Sequence, residues 1–467
     1  MTTAKTAWLL LGAAAISLAT PANAQELSPE DAAKLIERLD ALEAEVTDLR
    51  AKLEAAEASS TQQAAAAQAD ATAASAAAAE AQAAVAAQAE TTPAIAMKPT
   101  PEIEAGGFTF KPRGRLQYDV ANVQAPDAIM AADDGLGTNT TLRRARLGVS
   151  GDMPGGFGYK FEVDFADNDV AITDAIITYG DGPLGLTVGQ HNAFWGLEEM
   201  TSSNHISFIE RAGFTDAFGF SRRVGASADY SVGDVTVWGG LFSSSIDNLT
   251  SDEADNWGLD SRIVFAPKMG DTQLHFGGSV HWVDLDENDM SVRYRQRPNI
   301  ATTDTRFVNT GSFAASDTLS YGLEAAAIAG PLHFAGETHW QTASRPGMDD
   351  PTFFGGYAEI GYFLTGGDSR GYKGGKFDRI RPANPVGEGG MGALQANLRF
   401  DHLDLTDSGI VGGTQNAYGL SLIWTPMDYI RLMAQYQRLD ISDAAILNGL
   451  DADYSVDVVG ARAQVEF

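Results

Sequence analysis

Two spacings of apolar residues divide this chain. Leu35, Leu39, Leu42, Val46, Leu49, Leu53 and Ala56 follow one another at alternating steps of four and three. That is the 3.5-residue repeat of a coiled-coil seam. Ser28-Pro29-Glu30-Asp31 opens it with an N-cap, a proline at the first helical position and a carboxylate able to return a bond to the cap. With Leu39 at heptad position a, Arg38, Glu45 and Lys52 fall at g, and Glu43, Arg50 and Glu57 at e. Each g-to-e′ pair is opposite in sign. This favours parallel, in-register association of identical chains over a single amphipathic helix packed on its own chain.

From Phe108 the period changes to two. Tyr159, Phe161, Val163 and Phe165 alternate with Lys160, Glu162 and Asp164; Leu184, Leu186 and Val188 with small or polar residues; Val224, Ala226, Ala228 and Tyr230 with Arg223, Gly225, Ser227 and Asp229. Leu274, Phe276, Val280 and Trp282 share one face, with His275, Ser279 and His281 on the other. The pattern is common to a soluble sandwich with its apolar face inward and a membrane barrel with that face on lipid. The two ends of the chain separate these cases. Val459, Ala461, Ala463, Val465 and Phe467 alternate with Gly460, Arg462, Gln464 and Glu466, so an amphipathic strand stops on an aromatic. That ending resembles the assembly signal of bacterial outer-membrane proteins. At the other end, Lys5 precedes the apolar run Ala7 to Leu18, followed by Pro21 and Ala22-Asn23-Ala24. This reads as a cleaved signal peptide over 1–24; the run is too short to be an anchor that spans a bilayer.

The expected organisation is a signal peptide (1–24), a periplasmic coiled coil (25–57), an Ala/Gln- and Pro-containing tether (58–106) and an outer-membrane β-barrel (107–467). Residues 58–90 hold nothing from which to build a core, and Ala-rich sequence suits either a helical rod or a mobile spacer. Pro93, Pro99 and Pro101 end any helix before residue 102. Some 360 residues at roughly twenty-odd per strand and loop give an antiparallel, all-β transmembrane barrel of about 16 strands, with 18 the alternative. Closure satisfies every backbone group in hydrocarbon.

Composition narrows the function. The chain carries 62 Asp plus Glu against 32 Lys plus Arg, a formal charge of −30, which argues against a nucleic-acid partner. It has no cysteine, hence neither disulfides nor thiolate metal sites. No phosphate loop, paired-His metal motif or nucleophile–base pairing can be read, so no enzyme, cofactor or metal is expected. Asp284-Leu285-Asp286-Glu287-Asn288-Asp289 begins like a calcium loop, but Asp289 and Arg295 stand where Gly and Glu are required. An acidic extracellular loop, bridged to lipopolysaccharide through divalent ions, is the better reading. Tyr179, Trp238, Trp282, Trp340 and Tyr362 suit interfacial girdles.

RGRLQYDVA (113–121), RRARLGVSG (143–151), YKFEVDFAD (159–167), TSSNHISFIER (201–211), VRYRQRP (292–298), YFLTGGDSRGYKGGKFDRIRP (362–382) and LDLTD (403–407) together resemble the phosphate- and polyphosphate-selective porins, the porin O and P family. The resemblance covers 108–467. It implies a trimeric, 16-stranded channel narrowed by an inward-folded loop and lined by arginines. By the same resemblance, Arg143, Arg144, Arg211, Arg293, Arg295 and Arg297 match pore positions. Parity independently puts Arg113 and Arg115, and Arg144 and Arg146, on the lumenal face. It also puts Arg293, Arg295 and Arg297 on one face of a strand, about 6.8 Å apart at a rise of ~3.4 Å per residue. Such a ladder would pass small anions between guanidinium forks. Against this, lumenal arginines also serve as partners for Glu162, Asp164 and Asp174. The segment 191–211, expected to be the constriction, carries Glu198 and Glu199 and no lysine, whereas the phosphate-selective members place lysine there. The residues thus leave open two readings, an anion-guiding pore whose solutes extend to phosphate and a weakly selective porin that links outer membrane to peptidoglycan.

Overall fold

The computed structural model describes residues 29–91, 94–96, 102–166, 169–248, 256–285 and 290–467. The signal segment, Ser28, and residues 286–289 of the acidic loop lie outside them. The first unit is one helix, α1 (Pro29–Thr91). The Ala/Gln stretch continues it as a rod, resolving the choice left open by composition, and Pro93 follows its end. Leu39, Leu42, Val46, Leu49 and Leu53 are all about half exposed.

The second unit is a closed antiparallel barrel of sixteen strands among the described residues. In chain order they are β1 (Phe108–Gln124), β2 (Gly137–Met153), β3 (Phe157–Asp164), β4 (Ala171–Asp181), β5 (Leu184–Asn192) and β6 (Arg222–Val232). Then come β7 (Val235–Phe242), β8 (Trp257–Phe265), β9 (Thr272–Asp284), β10 (Asp317–Ala329) and β11 (Leu332–Ser344). The last five are β12 (Thr352–Phe363), β13 (Ala393–Asp407), β14 (Ile410–Met427), β15 (Ile430–Ser442) and β16 (Tyr454–Glu466). Each pairs with its neighbours in sequence, and β16 pairs back onto β1, with Gly460 opposite Ala121 and Arg462 opposite Asp119. Phe467 extends the seam by exchanging two 3.0 Å backbone bonds with Gly114. The Phe467 ring lies over Gly114, where a Cβ would stand 2.1 Å from it and the ring would have to move.

Alternation along the strands sorts the side chains as the period-two pattern requires. Val459, Val465 and Phe467 of the last strand face out, and Arg462 and Gln464 face in, buried. Trp238 is an exception to the expected girdle. It faces the lumen, 6.3 Å from Phe194 and beneath the Arg262 guanidinium, because Val237 and Leu241 hold the outward parity of β7.

Connections at one end, such as 182–183, 233–234, 330–331 and 428–429, are tight turns. At the other end most connections are longer. Three segments, two from that end and one from the turn end, fill part of the lumen. The segment between β5 and β6 (193–221) crosses it, anchored on β12 to β16. Gly213 N donates to Asp401 (2.7 Å), Arg431 to the carbonyls of Asn204 (2.8 Å) and Ile206 (2.7 Å), and Ser207 Oγ to Glu359 (2.7 Å). The segment between β9 and β10 covers it from the loop end, with Tyr294 against Phe218 at 5.8 Å. The third enters from the turn end, between β12 and β13 (364–392). Its hairpin, Gly371–Lys373 with Lys376–Asp378, meets the crossing loop where Phe377 N donates to Thr201 Oγ1 (3.3 Å) and Arg370 donates to the His205 carbonyl. Apolar residues of the first two segments, among them Ile209, Phe214, Phe218, Tyr294 and Ile300, form the main buried cluster against the β10–β16 side. The open part of the lumen therefore lies against β1 to β6.

Candidate functional site: a basic passage along the lumen wall

Two cavities occupy that open side. One, of about 380 Å³, faces the loop end and is lined in part by Arg143, Glu210, Asp216, Arg297 and Asn299. The other, of about 590 Å³, faces the turn end and is lined in part by Arg113, Arg115, Lys160, Lys376, Arg379 and Arg381. Arg144, Arg146, Glu199, Arg211 and Arg222 line both. These five side chains stand between the cavities, with Arg144 and Arg146 supplied by β2, Arg222 by the start of β6, and the other two by the crossing loop.

The wall around this narrowing is a lattice of cross-strand ion pairs. Arg146 bonds Asp164 (2.7 Å) and Glu162 (3.2 Å); Lys160 bonds Asp174 (2.7 Å), which also receives Arg222 (3.2 Å). These are the lumenal acids that parity had offered as partners. These pairs tie neighbouring strands of the wall to one another from the lumenal side. Glu210 locks the crossing loop to this side. It accepts a bidentate pair from Arg143 (2.9 and 3.1 Å) and a third bond from Arg462 (2.9 Å), whose guanidinium also grips Asp119 (2.6 and 2.7 Å). Burial alone would raise the Glu210 carboxyl, but Arg143, Arg462 and Arg144 hold it well below the usual range.

Arg144 differs from its neighbours. Its side chain is buried and donates to Gln117 Oε1 (2.9 Å), but among the described residues it is in no ion pair. Among the described residues Arg115 likewise bonds only hydroxyls, those of Ser203 (2.7 Å) and Ser202 (3.4 Å), and Arg113 bonds Ser150 Oγ (2.6 Å). Uncompensated positive charge thus runs from the narrowing into the turn-end cavity. There, ten cationic side chains stand against five carboxylate side chains; around the loop-end cavity the numbers are six and four.

The two acids of the crossing loop part company. Glu198 points away from the passage, to Arg399 (2.9 Å), which also bonds Glu359 (2.6 Å). Glu199 faces the narrowing and pairs with Arg211 at 3.2 Å; burial raises its pKa against the pull of Arg211, Arg222 and Arg144. Arg211 additionally donates to the carbonyls of Glu198 (2.9 Å) and Thr201 (2.8 Å), so it shapes the loop as well as the field.

The ladder expected of Arg293, Arg295 and Arg297 does not form. These residues lie in the connection between β9 and β10, whose ladders are only two residues long, and not on a barrel strand. The parity holds, but it turns Tyr294 and Gln296 inward, leaving Arg293 and Arg295 exposed to solvent. Arg293 is tied to Asn309 (3.0 Å). Arg297 alone of the three reaches a cavity, paired with Asp304 (2.7 Å) and Asp216 (3.5 Å). The inward segment also runs further than 191–211, spanning 193–221. Sequence reasoning missed the cations of the turn-end insertion, Lys376, Arg379 and Arg381. Their motif was visible, but a connection at the turn end gave no reason to expect it inside the barrel.

A sealed sixteen-strand barrel with inward loops and a charged passage is a porin architecture, and a family model for "Phosphate-selective porin O and P" matches residues 110–467. The chain belongs to this family. A Porin O of Pseudomonas aeruginosa is 26% identical over 74% of this chain and 86% of its own length. An uncharacterized protein of Caulobacter vibrioides is 44% identical over 98% of this chain and 95% of its own. An anion-selective porin from Comamonas acidovorans shares the fold at 12% identity, with 77% of this chain and all of that chain covered and a TM-score of 0.47. The protein is therefore an outer-membrane porin, a passive channel and not an enzyme. The five side chains that line both cavities are called the eyelet here.

Proposed function

We propose that this porin conducts small hydrophilic anions, with Arg144 the principal selective charge. One observation carries the reading: the guanidinium that stands at the eyelet without a carboxylate partner leads into a cavity where cations outnumber acids two to one. A low-dielectric passage lined by one sign of charge concentrates the opposite ion. Phosphate belongs to the class that such forks can hold, while Glu199 lowers the affinity for a dianion. The second reading, a weakly selective porin, draws on the lattice in which Arg146, Lys160 and Arg222 neutralise Glu162, Asp164 and Asp174. Planar-bilayer reversal potentials under a KCl gradient, followed by phosphate titration of the chloride current, decide between them. Anion selectivity supports the proposal, and block at low phosphate extends it to phosphate. Weak or cation selectivity overturns it.

We further propose that the porin is a homotrimer whose α1 helices form the parallel periplasmic coiled coil through Leu35, Leu39, Leu42, Val46, Leu49 and Leu53. A helix of 63 residues at ~1.5 Å per residue is roughly 95 Å long. That length suits a reach toward peptidoglycan, while lipopolysaccharide surrounds the barrel rim. Deleting 26–106 and measuring envelope attachment tests that role separately from conduction.

A further inference from the structure

The turn-end insertion stands between the barrel wall and the crossing loop. Its hairpin turns at Gly374 (φ +57°) and Gly375 (φ +73°), the left-handed backbone that a two-residue loop needs. On one side it is fixed to the wall. Arg262 of β8 donates to the Gly375 carbonyl (2.8 Å), and Tyr372 Oη meets His275 Nδ1 of β9 at 2.6 Å. On the other side it grips the crossing loop. Tyr372 lies opposite Phe377, one step from the Lys373–Lys376 pair that closes the hairpin. At that alternate position the N–H points away from the partner strand, and Phe377 N donates to Thr201 Oγ1 (3.3 Å). The Phe377 ring is buried, with the Arg370 guanidinium 4.6 Å from its centre, and Arg370 donates to the His205 carbonyl.

Thr201 and His205 are the two ends of one tight turn. His205 N donates to the Ser202 carbonyl (2.8 Å) and Asn204 N to Ser202 Oγ (3.3 Å). Between those ends lie the two hydroxyls that hold Arg115, Ser203 at 2.7 Å and Ser202 at 3.4 Å. The wall grips the middle of the same turn: Gln117 donates to the Ser203 carbonyl (3.1 Å), and Arg431 (2.8 Å) and Gln464 (3.1 Å) to that of Asn204. The insertion takes the ends. Arg370 is placed there at a disadvantage. It is buried, forms no ion pair among the described residues, and leaves Nε and Nη1 without partners. Arg262, which serves the wall, has Glu324 at 2.8 Å.

We infer that Arg370 and Phe377 are positioning residues for the passage: by holding both ends of the turn 201–205 they fix the serines that aim Arg115 into it. This rests on the anion-guiding function proposed above and deepens it, since an element from the turn end then sets selectivity through a charge it does not itself carry. Arg370 lines neither cavity, and Phe377 brings no charge, whereas Arg115 is one of the unpaired cations of the turn-end cavity. Both contacts reach Arg115 only through the turn. The size of the effect follows from distance. Drawing a unit charge back from about 4 Å to about 8 Å halves its pull on a passing ion, so even at the dielectric of water the permeability ratio changes about twofold.

The test uses the full-length porin, purified in detergent and reconstituted in planar bilayers. Amide hydrogen exchange over 201–205 reads the hold on the turn, and the reversal potential under a KCl gradient reads its consequence. Arg370→Lys keeps the charge and loses the planar fork. Thr201→Val keeps the shape and removes the acceptor of the Phe377 amide, while Thr201→Ser retains it. The expected result is faster exchange and an about twofold lower chloride-to-potassium ratio in the first two variants, with wild-type values in Thr201→Ser. In an Arg115→Gln background, Arg370→Lys should leave the ratio unmoved. Heat-modified gel mobility checks that each barrel has assembled, and Thr201→Val carries the test if Arg370→Lys does not. Unchanged exchange in assembled variants overturns the inference and leaves the turn to Gln117, Arg431 and Gln464. Faster exchange with an unmoved ratio, or an equal shift in the Arg115→Gln background, overturns the positioning of Arg115. A wild type without anion preference refutes the selectivity proposed above. Exchange then decides alone, faster exchange supporting the insertion's hold on the turn and unchanged exchange overturning it.

Discussion

Replacing Arg144 by Gln removes one positive charge from the eyelet and keeps an amide to donate to Gln117, so the local hydrogen bonding survives. The size of the effect follows from the surroundings. A unit charge 4 Å from a passing ion contributes about 1 kcal/mol in bulk water and about 4 kcal/mol at an effective dielectric of ~20. The eyelet holds water but is walled by protein, and Arg144 is buried, so the value lies between. Since ~1.4 kcal/mol is tenfold, even the lower figure changes the chloride-to-potassium permeability ratio about fivefold. Reversal potentials in planar bilayers measure that ratio directly. The effect should be largest with the dilute side near 0.1 M, where the screening length is about 10 Å, and should shrink near 1 M, where it is about 3 Å. The exposed Arg295 supplies the control, because Arg295→Gln removes the same formal charge outside the passage. A permeability ratio unmoved by Arg144→Gln, or moved equally by Arg295→Gln, would refute the assignment of selectivity to the eyelet and leave only the general charge of the mouth.

Glu199 gives the pore a pH dependence. Burial raises its pKa, so acidification neutralises it above the usual glutamate range of about 4.3; anion selectivity should rise as pH falls through that transition, and Glu199→Gln should hold selectivity high and abolish the rise. Arg399→Met strands the carboxylates of Glu198 and Glu359, both within 3 Å of the guanidinium. Loss of one partner of a buried pair costs about 3–5 kcal/mol, so the thermal transition followed by heat-modified gel mobility should drop, and single-channel current should become noisier as the crossing loop loosens. Lys376→Gln removes a turn-end cation that forms no ion pair among the described residues. It should lower chloride conductance at low salt while leaving the thermal transition in place, and a large fall in stability would show the lysine to be structural.

The strands were legible because a lipid-facing wall must alternate, and the closing strand because its parity ran unbroken to Phe467. Alternation also placed Arg113, Arg115, Arg144 and Arg146 in the lumen, where the structure has them. It failed where local spacing has no knowledge of the barrel. VRYRQRP alternates like a strand, yet it sits in a loop hairpin whose inward positions are Tyr294 and Gln296. Trp238 looked like a girdle residue because its type suits an interface, although its neighbours Val237 and Leu241 already claimed the outer face. The fate of Glu198 and Glu199 was out of reach altogether. They are adjacent in sequence, and only the docking of the loop on Arg399 separates an anchoring acid from one that faces the passage. The same parity that found Arg144 was equally present for Arg399, Arg431 and Arg462. What it cannot tell is whether a lumenal arginine faces water or is consumed in holding a loop.

That distinction explains how a chain of net charge −30 can hold a basic passage. Many lumenal arginines are spent on structure: Arg462 on Asp119 and Glu210, Arg399 on Glu198 and Glu359, Arg146 on Glu162 and Asp164. Each such pair contributes almost no net field along the passage. The field comes from the few cations whose partners are neutral, a glutamine for Arg144, serines for Arg113 and Arg115. Neutral acceptors position a guanidinium without cancelling it, which is what a conducting pore needs if an ion is to be attracted but released. It follows that converting Gln117 to Glu, which adds an acid beside Arg144 without touching any cation, should silence the eyelet as effectively as removing the arginine. Unchanged selectivity in Gln117→Glu would mean that the passage answers to total charge and not to which cations are left unpaired.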